Sequence, residues 1–549
     1  MNLKKAENDA TRAGPPAPAL SRRRALILLL VLLALAAALR FYRIGDKSLW
    51  LDEVMSVRIA TQPTVADAVR LVAAYDVHPP LFPIIHFFWM RLGMSDGMAR
   101  VPSAVFGVLA AFFACLLASR LYGRTAGLFA ALLMALSAYN VFYSQEARNY
   151  SMIVLLTLVL SWLLIVIVQS AERVPWWAWI AYAVTGVACL YTLVTSMLVI
   201  ISHWVIFLIQ AKKTRRNLIC GLSAQMAIGL AFLPWLPALL KAQKAVGAIA
   251  AQQGVLPSPG PMQWLDAFGQ WGIAPQFILG ASAHDATATL GAFVAVLMVY
   301  SFVRSWRNTT TTVALICMIF VPVALYAILP MKRVHAFDPK HLIFVQPLCM
   351  IAVSGLAWGA SAPAKAGARR AVALLLMLAA ANAALLVFYY AQARQKECWP
   401  DAARQIESVP KVDLILVNPS RGAPQALAWY YRGKAKIIAP ELGVRLSPQA
   451  ENAGNLADMI ESYQKLTAEG GKLVGGDRVW LVLCRNEVLY PTIGLPEWFE
   501  GHMAREEGIV LKGSDGRVIV CALYRKKTVE EAAPAPRSWP PAPPALPPK

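Results

Sequence analysis

Residues 125–169 read TAGLFAALLMALSAYNVFYSQEARNYSMIVLLTLVLSWLLIVIVQ, two apolar runs separated by the polar segment YSQEARNY at 143–150. A helix needs about 20 apolar residues to cross a bilayer, and each run supplies roughly that length. A charged side chain at mid-bilayer costs roughly 2.5–3.5 kcal/mol, which excludes Glu146 and Arg148 from the lipid interior. The stretch therefore predicts two membrane-spanning helices joined by a turn at a membrane surface.

The composition of the chain is that of a polytopic membrane protein. Of its 549 residues, 58% are hydrophobic and 15% are charged, whereas a soluble protein is about 45–50% apolar and about 25% charged. This difference excludes an ordinary soluble enzyme, a disordered chain and a fibrous repeat. The net charge of +21 comes from short basic clusters between apolar runs, which indicates positive-inside loops and no nucleic-acid partner.

Eleven apolar runs are predicted to cross the membrane. They lie at about 25–38, 101–119, 125–142, 151–169, 176–192, 194–210, 217–239, 286–303, 311–330, 342–360 and 371–391. The run from Pro79 to Met90 has only twelve residues, too few to span, so it is predicted to be an interfacial or re-entrant helix. The segment from Gly45 to Val77 is polar and amphipathic and is expected to lie outside.

The basic clusters predict the orientation of the chain. The arginine triplet at 22–24 precedes the first span, and no small-residue cleavage site follows, which favours a retained helix over a signal peptide. With the N-terminus inside, the basic short loops fall on the cytoplasmic side, as the positive-inside rule requires. Lys332, Arg333 and Lys340 are the exceptions and fall outside. An odd number of spans places the C-terminal segment outside as well.

Four regions follow from these patterns. They are a disordered cytoplasmic tail at 1–24, a transmembrane domain at 25–391, a small extracytoplasmic α/β domain at 392–525 and a disordered Pro/Ala-rich tail at 526–549. The α/β domain is predicted to hold strands at 414–417, 479–484 and 518–523 and helices near 422–432 and 454–468. Cys484 and Cys521 fall in two of these strands. The sequence is compatible with a disulfide between them and also with two buried thiols. The loop at 241–285 is expected to hold one surface helix.

Acidic residues are absent from the interior of the eleven runs and cluster in outer loops. Ion-coupled transporters place acids within their spans, so this distribution disfavours that class. In the first loop, SLWLDEVMSVR at 48–58, Asp52 and Glu53 stand among apolar residues, where the pKa of a carboxylate can be tuned for base catalysis. A capped helix start explains the same acids. In the second loop, His78 precedes two prolines, which simple helix initiation also explains.

Two further outer loops offer polar groups to a ligand. The side chains of the segment at 143–150 are suited to hydrogen bonds with sugar and phosphate, and they include Tyr143, Gln145, Glu146 and Arg148. A local surface ion pair of little energy is the alternative there. The loop KRVHAFDPKH at 332–341 is basic on the side where topology does not require it. Its cations could neutralise an anionic ligand or contact lipid headgroups.

Three motifs in fixed order, LWLDEVMSVRIA (49–60), HPPLFPIIHFFW (78–89) and YSQEARNYSM (143–152), resemble those of the GT-C membrane glycosyltransferases. The branch they resemble is the bacterial family-39-like proteins, related to protein O-mannosyltransferases and the lipid A aminoarabinose transferase. Smaller matches at 233–243 and 337–348 extend the resemblance over about 25–391. It implies an α-helical, polytopic GT-C-type fold in a bacterial inner (plasma) membrane, with about eleven transmembrane helices and a small C-terminal extracytoplasmic α/β domain.

The resemblance also implies a hexosyl- or pentosyltransferase that takes its sugar from a polyprenyl phosphate and gives it to a lipid, glycan or protein. An acid in the first outer loop is the base in this family, which corresponds to Asp52 with Glu53 beside it. The leaving group is already a phosphate, so cations must receive it and no acid is required. Residues expected to bind the phosphate are Arg58, Arg148, Arg333, Lys340 and His341. Residues expected to orient the acceptor or the base are His78, Tyr143, Gln145 and Glu146.

Two positions depart from the motifs of similar sequences. The segment YTL at 191–193 lacks the histidine that often follows Tyr-Thr, and PKH at 339–341 stands where Pro-Arg-Tyr is usual; lysine keeps the charge but loses the bidentate fork. No ligand set requires a metal, although a divalent cation bridging Asp52 and Glu146 stays compatible with the sequence. The alternatives from other classes are a transporter or lipid flippase for a glycolipid, and a catalytically silent scaffold on the same fold.

Overall fold

A computed structural model describes most of the chain. The described residues are 21–170, 174–211, 214–253, 259–273, 284–306, 308–328, 337–358, 366–391, 397–412, 414–417, 423–438, 478–485, 499, 503–512 and 518–526. The tails predicted at 1–24 and 526–549 lie almost wholly outside these residues, and the helix predicted at 454–468 lies outside them entirely. The same is true of Arg333 in the basic loop.

The described residues form nineteen α-helices and five strands. The helices are α1 (Arg22–Phe41), α2 (Leu51–Ala60), α3 (Val65–Tyr75), α4 (Leu81–Trp89), α5 (Asp96–Tyr122), α6 (Arg124–Leu136), α7 (Ala138–Ser144), α8 (Tyr150–Gln169), α9 (Trp176–Leu190), α10 (Met197–Gln210), α11 (Arg215–Phe232), α12 (Leu236–Gln253), α13 (Pro261–Gly272), α14 (His284–Ser305), α15 (Thr309–Ile328), α16 (Gln346–Ser354), α17 (Ala366–Ala391), α18 (Trp399–Ser408) and α19 (Ala423–Tyr430). The strands are β1 (Leu414–Val417), β2 (Lys436–Ile438), β3 (Arg478–Arg485), β4 (Met503–Lys512) and β5 (Val518–Lys526).

The helical membrane fold predicted from the sequence is confirmed, although the number of full-length spans is smaller. Eight helices of the described chain are long and apolar enough to cross a membrane alone, and the bent pair α6–α7 makes nine. The predicted spans at 176–192 and 194–210 correspond to α9 and α10, which are apolar but have only 15 and 14 residues. Turns at 191–196 shorten both helices, since Leu193 adopts an extended backbone there.

The span predicted at 125–142 is broken at Ser137, where α6 and α7 meet at an angle of 59°. A break inside a membrane frees backbone carbonyls that lipid cannot satisfy. The buried guanidinium of Arg40, at the end of α1, takes this role, since it donates to the carbonyls of Met134 (2.9 Å) and Ala135 (3.4 Å). Arg40 therefore satisfies carbonyl groups next to the bend. Helix α7, which follows the bend, leads into the polar loop at 143–150.

The helix α8 lies at the centre of the bundle. In its most apolar stretch 83% of the residues are buried, whereas in that of α1 only 11% are buried. Side chains such as Leu26, Leu30 and Val31 on α1 are more than half exposed, as expected of a helix that faces lipid. The N-terminus of α8 follows the polar loop directly, so this loop is anchored on a largely buried helix.

The short helix predicted at 79–90 is confirmed as α4, which packs against α2 and α3. The helix predicted in the loop 241–285 is present as α13, but it is not superficial. Residues 266–272 are buried against α14, because Gly269 and Gly291 allow the two backbones to approach; a methyl group on either would overlap a carbonyl oxygen of the other helix.

The C-terminal region contains a five-stranded mixed sheet in the order β2-β1-β3-β5-β4. Strand β1 is parallel to β2 and β3, while β5 is antiparallel to β3 and β4. The three predicted strands and the helix near 422–432 are confirmed as β1, β3, β5 and α19. Cys484 pairs with Ile519 and Cys521 pairs with Val482, so the two cysteines are diagonal neighbours, and both are buried thiols.

Candidate active site

Three polar loops meet beside α2. They are the start of α2, the link between α3 and α4, and the link between α7 and α8. A short 3₁₀-helix, Pro339–Val345, brings the segment at 338–341 to the same place. The sequence predicted these loops on one side of the membrane, and hydrogen bonds from Ala147 to Glu53 and from Arg148 to Asp76 join the three loops. Lys340 of the fourth segment lies within electrostatic range of Asp52 and Tyr150.

Glu53 is fully buried and its carboxylate is occupied by structural contacts. Arg100 donates to it twice, from Nε to Oε1 at 2.7 Å and from Nη2 to Oε2 at 2.8 Å. The backbone N–H of Ala147 donates to Oε1 at 2.9 Å, and that of Trp50 to Oε2 at 3.3 Å. Glu53 thus caps α2 and ties it to the loop at 145–149, which points to a positioning role in place of the catalytic one predicted for it.

The sequence analysis assigned no role to Arg100, because this residue directly precedes the apolar run at 101–119 and looks like the flank of a membrane span. It begins the second turn of α5 and is 1% exposed. Besides Glu53, its guanidinium donates to the carbonyls of Ile44 (3.0 Å), Lys47 (2.7 Å) and Ser48 (3.0 Å). One side chain therefore fixes the whole segment that leads into α2.

Asp52 is the half-buried acid of the first loop. In contrast to Glu53, its carboxylate has no hydrogen-bond or ion-pair partner among the residues that the structure describes; the contacts of Asp52 with Ser56 and Arg148 go through its carbonyl oxygen. The carboxylate nevertheless lies within electrostatic range of Arg148, Tyr150 and Lys340. It is therefore an ionisable group held beside cations and open to a further ligand.

Arg148 joins the three loops. Its guanidinium donates from Nη1 to Asp76 Oδ2 (3.4 Å) and to Ser56 Oγ (3.3 Å), and Nη2 lies 3.1 Å from His78 Nδ1. The side chain is only about a twelfth exposed. Burial alone would lower the pKa of Arg148, but the charges of Asp76 and Asp52 raise it above its usual value. A permanent, partly enclosed positive charge results.

Asp76 and His78 form a second pair at this site. Asp76 Oδ1 accepts from the backbone N–H of His78 (3.0 Å) and lies 2.8 Å from its Nδ1. Burial would raise the pKa of Asp76, but the charges of Arg148 and His78 hold this pKa well below its usual range. The sequence analysis assigned no role to Asp76. One feature of the sequence could have indicated a role for Asp76: it lies two residues before the HPP motif. At such a position an Asp side chain can accept a hydrogen bond from the backbone N–H two residues later.

The segment at 338–341 contributes the predicted cation Lys340. Its Nζ lies 2.8 Å from Asp338 Oδ2, and its backbone N–H donates to Asp338 Oδ1 at 3.0 Å. Burial would raise the pKa of Asp338, but Lys340 and His341 lower it. The imidazole of His341 instead lies 3.2 Å from the hydroxyl of Tyr326. Lys340 also lies within electrostatic range of Asp52 and Tyr150.

The other predicted residues of the third loop are buried and differ in their contacts. The amide of Gln145 donates to the carbonyls of Arg40 (3.1 Å) and Tyr42 (2.8 Å) and accepts from Tyr389 at 2.9 Å, so Gln145 holds helices together. The ring of Tyr143 packs edge-on against Tyr139 and Tyr150. Glu146 is 2% exposed in the same loop.

Arg58 lies in the last turn of α2, and no contact joins its side chain to this cluster within the described part of the chain. For a divalent cation, no group of three or more His, Cys, Asp and Glu side chains suited to a metal occurs among the described residues.

Comparison with known proteins shows which fold the chain has. Residues 77–240 match the family described as dolichyl-phosphate-mannose-protein mannosyltransferase. ArnT from Cupriavidus metallidurans bound to undecaprenyl phosphate superposes with a TM-score of 0.54 at 15% identity, covering 92% of this chain and 99% of that chain. The chain has the GT-C glycosyltransferase fold. The resemblance predicted from the loop motifs is thereby confirmed.

Two further structures show how far this fold extends. Apo ArnT from Cupriavidus metallidurans gives a TM-score of 0.53 at 14% identity, with 92% and 99% of the two chains covered. The apo oligosaccharyltransferase of Archaeoglobus fulgidus gives 0.51 at 11% identity and covers 84% of this GT-C chain and 70% of its own. A search of curated protein sequences finds no match. The fold is thus shared with proteins whose sequences have diverged widely.

Proposed function

We propose that the chain is an integral-membrane glycosyltransferase that moves a sugar from a polyprenyl phosphate to an acceptor hydroxyl on the extracytoplasmic face. Asp52 is the general base, and the anomeric centre is inverted. The single observation that carries this proposal is the half-buried Asp52 carboxylate, which has cations nearby but no bonded partner among the described residues. A carboxylate of this kind can accept a proton from a ligand without first breaking an internal contact.

The reaction needs positive charge where the donor leaves. As the acceptor oxygen forms its bond to the anomeric carbon, the bond from that carbon to the phosphate oxygen breaks, and the electron pair stays on the phosphate. Arg148 and Lys340 are the cations placed to receive this anion, because both lie within electrostatic range of Asp52. Charges that are fixed before the reaction stabilise a developing charge more than water does.

The proton of the acceptor hydroxyl goes to Asp52. An alcohol has a pKa far above 7, so a carboxylate must accept the proton as the new bond forms. Attack from the side opposite the phosphate inverts the anomeric centre, and no protonated acid is needed because the leaving group is a phosphate. His78, whose Nδ1 lies 2.8 Å from Asp76 and 3.1 Å from Arg148, orients the acceptor or the base.

The similar proteins support the donor class. The matched family is named for a dolichyl-phosphate-linked sugar, and the ArnT structure holds undecaprenyl phosphate. Both compounds are polyprenyl phosphates, which lie with their head at a membrane surface. We propose that the polar cluster lies at this surface, in a bacterial inner membrane with a cytoplasmic N-terminus.

The test compares full-length wild-type protein with Asp52→Asn in lipid nanodiscs, using a panel of radiolabelled polyprenyl-phosphate sugars. We expect wild type to release polyprenyl phosphate and Asp52→Asn to be slower by roughly 10²–10⁴-fold, the usual contribution of a general base. The matched control is Asp67→Asn, which removes an acid paired with exposed Arg70 on α3. Equal rates for wild type and Asp52→Asn at equal protein levels would contradict the assignment.

The same protein, reconstituted into sealed vesicles, separates the alternatives. A transporter or flippase moves intact donor across sealed vesicles without breaking its sugar–phosphate bond, and a silent scaffold does neither. The acceptor class, whether lipid, glycan or protein, is found by mass spectrometry of envelope glycolipids and glycans from cells with and without the gene. A product that carries one additional sugar only when the gene is present identifies the acceptor.

A further inference from the structure

The C-terminal domain contacts the segment that carries Asp52. Helix α19 of this domain shares one buried apolar cluster with α2, in which Leu51 and Val54 pack with Ala426 and Leu427. The same cluster continues through Trp480 into the sheet. The domain is therefore packed directly on the helix that presents the proposed base, and it is not joined to the bundle by a linker alone.

Polar contacts at this interface converge on Tyr430. Its hydroxyl accepts from the backbone N–H of Leu49 at 2.6 Å and donates to Asp96 Oδ2 at 2.7 Å. The other oxygen of Asp96 accepts from Trp429 Nε1 at 2.8 Å. Burial and the neighbouring carboxylate of Asp96 raise the pKa of Tyr430 above its usual value, so the phenol keeps the proton that it donates.

Tyr430 and Arg100 hold the same segment from two sides. Arg100 binds the carbonyls of Lys47 and Ser48 from within the bundle, whereas Tyr430 binds the next N–H, that of Leu49, from the C-terminal domain. The hydroxyl of Ser48 adds a bond to the carbonyl of Glu397, at the entry to that domain. Asp52 follows within one turn, so the position of its carboxylate depends on both anchors.

We propose that Tyr430 is a positioning residue for Asp52: its hydroxyl, oriented by Asp96, lets the C-terminal domain fix the first turn of α2 and the direction of the base. This rests on the proposed function of Asp52. A residue that sets the direction of a base acts on the chemical step more than on donor binding, since small displacements of a reacting group lower the rate strongly.

The chain offers a matched control at the next position. Tyr431 is also half-buried, and its hydroxyl accepts from the N–H of Ala435 at 3.0 Å, so Tyr431→Phe removes a hydrogen bond within the C-terminal domain and none to α2. Tyr430→Phe removes the hydroxyl that joins Leu49 to Asp96 and leaves the ring in place. Asp96→Asn tests the same contact from the side of the bundle.

The experiment measures hydrogen exchange and kinetics of these variants in nanodiscs. For Tyr430→Phe we expect faster amide exchange in peptides covering 48–53, and kcat lower by about 10–100-fold with donor KM changed by less than about 2-fold. Tyr431→Phe should match wild type in both. Asp96→Asn should lower kcat in the same direction, and the double variant should fall by less than the product of the two single effects, as expected of one shared contact.

Three results would overturn the proposal: unchanged exchange at 48–53 in Tyr430→Phe, faster exchange with an unchanged kcat, or an equal fall of kcat in Tyr431→Phe. The failure of the proposed function has a different signature. If wild type transfers no sugar from any polyprenyl phosphate, the function is contradicted, and the exchange comparison alone decides whether Tyr430 holds the segment.

Discussion

Arg100 and Glu53 form a fully buried ion pair with two parallel hydrogen bonds, and this pair lies one residue away from the half-buried carboxylate of Asp52. Two adjacent acids therefore have opposite surroundings. One is neutralised by a guanidinium and fixes the backbone; the other has electrostatic neighbours but no bonded partner among the described residues. The difference separates their expected effects on stability and on activity.

Glu53→Gln should unfold the protein at a lower temperature, whereas Asp52→Asn should not. Removing the charge of Glu53 leaves Arg100 buried without its counter-ion, and breaking a buried pair of this kind costs about 3–5 kcal/mol. Asp52→Asn removes no bonded contact, so its loss should appear in kcat alone. Thermal unfolding in detergent and the transfer assay measure the two quantities. Equal stability of Glu53→Gln and wild type would show that the pair does not hold α2.

Asp76 should make the protein sensitive to acid. Because its pKa is lower in the folded protein than its ordinary value of 3.8, its charge stabilises the fold above that value, and this contribution is lost as the pH falls toward the lower, folded pKa. Asp76→Asn should therefore be less stable than wild type at pH 7, and the difference should shrink below about pH 4. Unfolding temperatures across this range measure the difference, with Asp67→Asn as the control at a partly exposed position. A difference that does not change with pH would contradict the linkage.

The sequence was sufficient to predict the helical membrane fold and the loops that form the site. Long apolar runs leave few choices, and polar segments such as 143–150 must lie at a surface, so their grouping follows from topology. The sequence was insufficient where the course or the burial of a helix differs from what its hydropathy indicates. The break at Ser137 depends on Arg40, which lies about a hundred residues earlier, and α13 is buried because two glycines meet.

The same limit applies within the site. The two acids at 52 and 53 look alike in sequence, and their roles separate only when Arg100 is placed beside one of them. Arg100 itself begins an apolar run, so hydropathy assigns it to a helix end. Tyr430 lies in another domain, and its bond to Leu49 joins residues too far apart in the chain for any local pattern to pair them. Long-range polar contacts are therefore the part of the site that needed a structure.

Arg148 should be sensitive even to replacement by lysine. Its guanidinium contacts Asp76, His78 and Ser56 at once, and an ammonium group cannot reproduce that fork. We expect kcat/KM for the donor to fall by roughly 10-fold in Arg148→Lys and by roughly 10²-fold or more in Arg148→Gln. Arg70→Gln, at an exposed position, is the control. Full activity of Arg148→Lys would contradict this prediction, since it would show that a positive charge at this position is sufficient and that the shape of the guanidinium is not needed.

Arg40 should stabilise the bundle without taking part in the reaction. Arg40→Met keeps the length of the side chain but leaves the carbonyls of Met134 and Ala135 without their donor at the break in the helix. Each buried polar group left unsatisfied costs about 1–3 kcal/mol, so the unfolding temperature should fall. Arg43→Met is the control, because Arg43 lies near the same helix end but is exposed and paired with Asp46. If Arg40→Met and Arg43→Met unfold at the same temperature, the bend is held by packing alone.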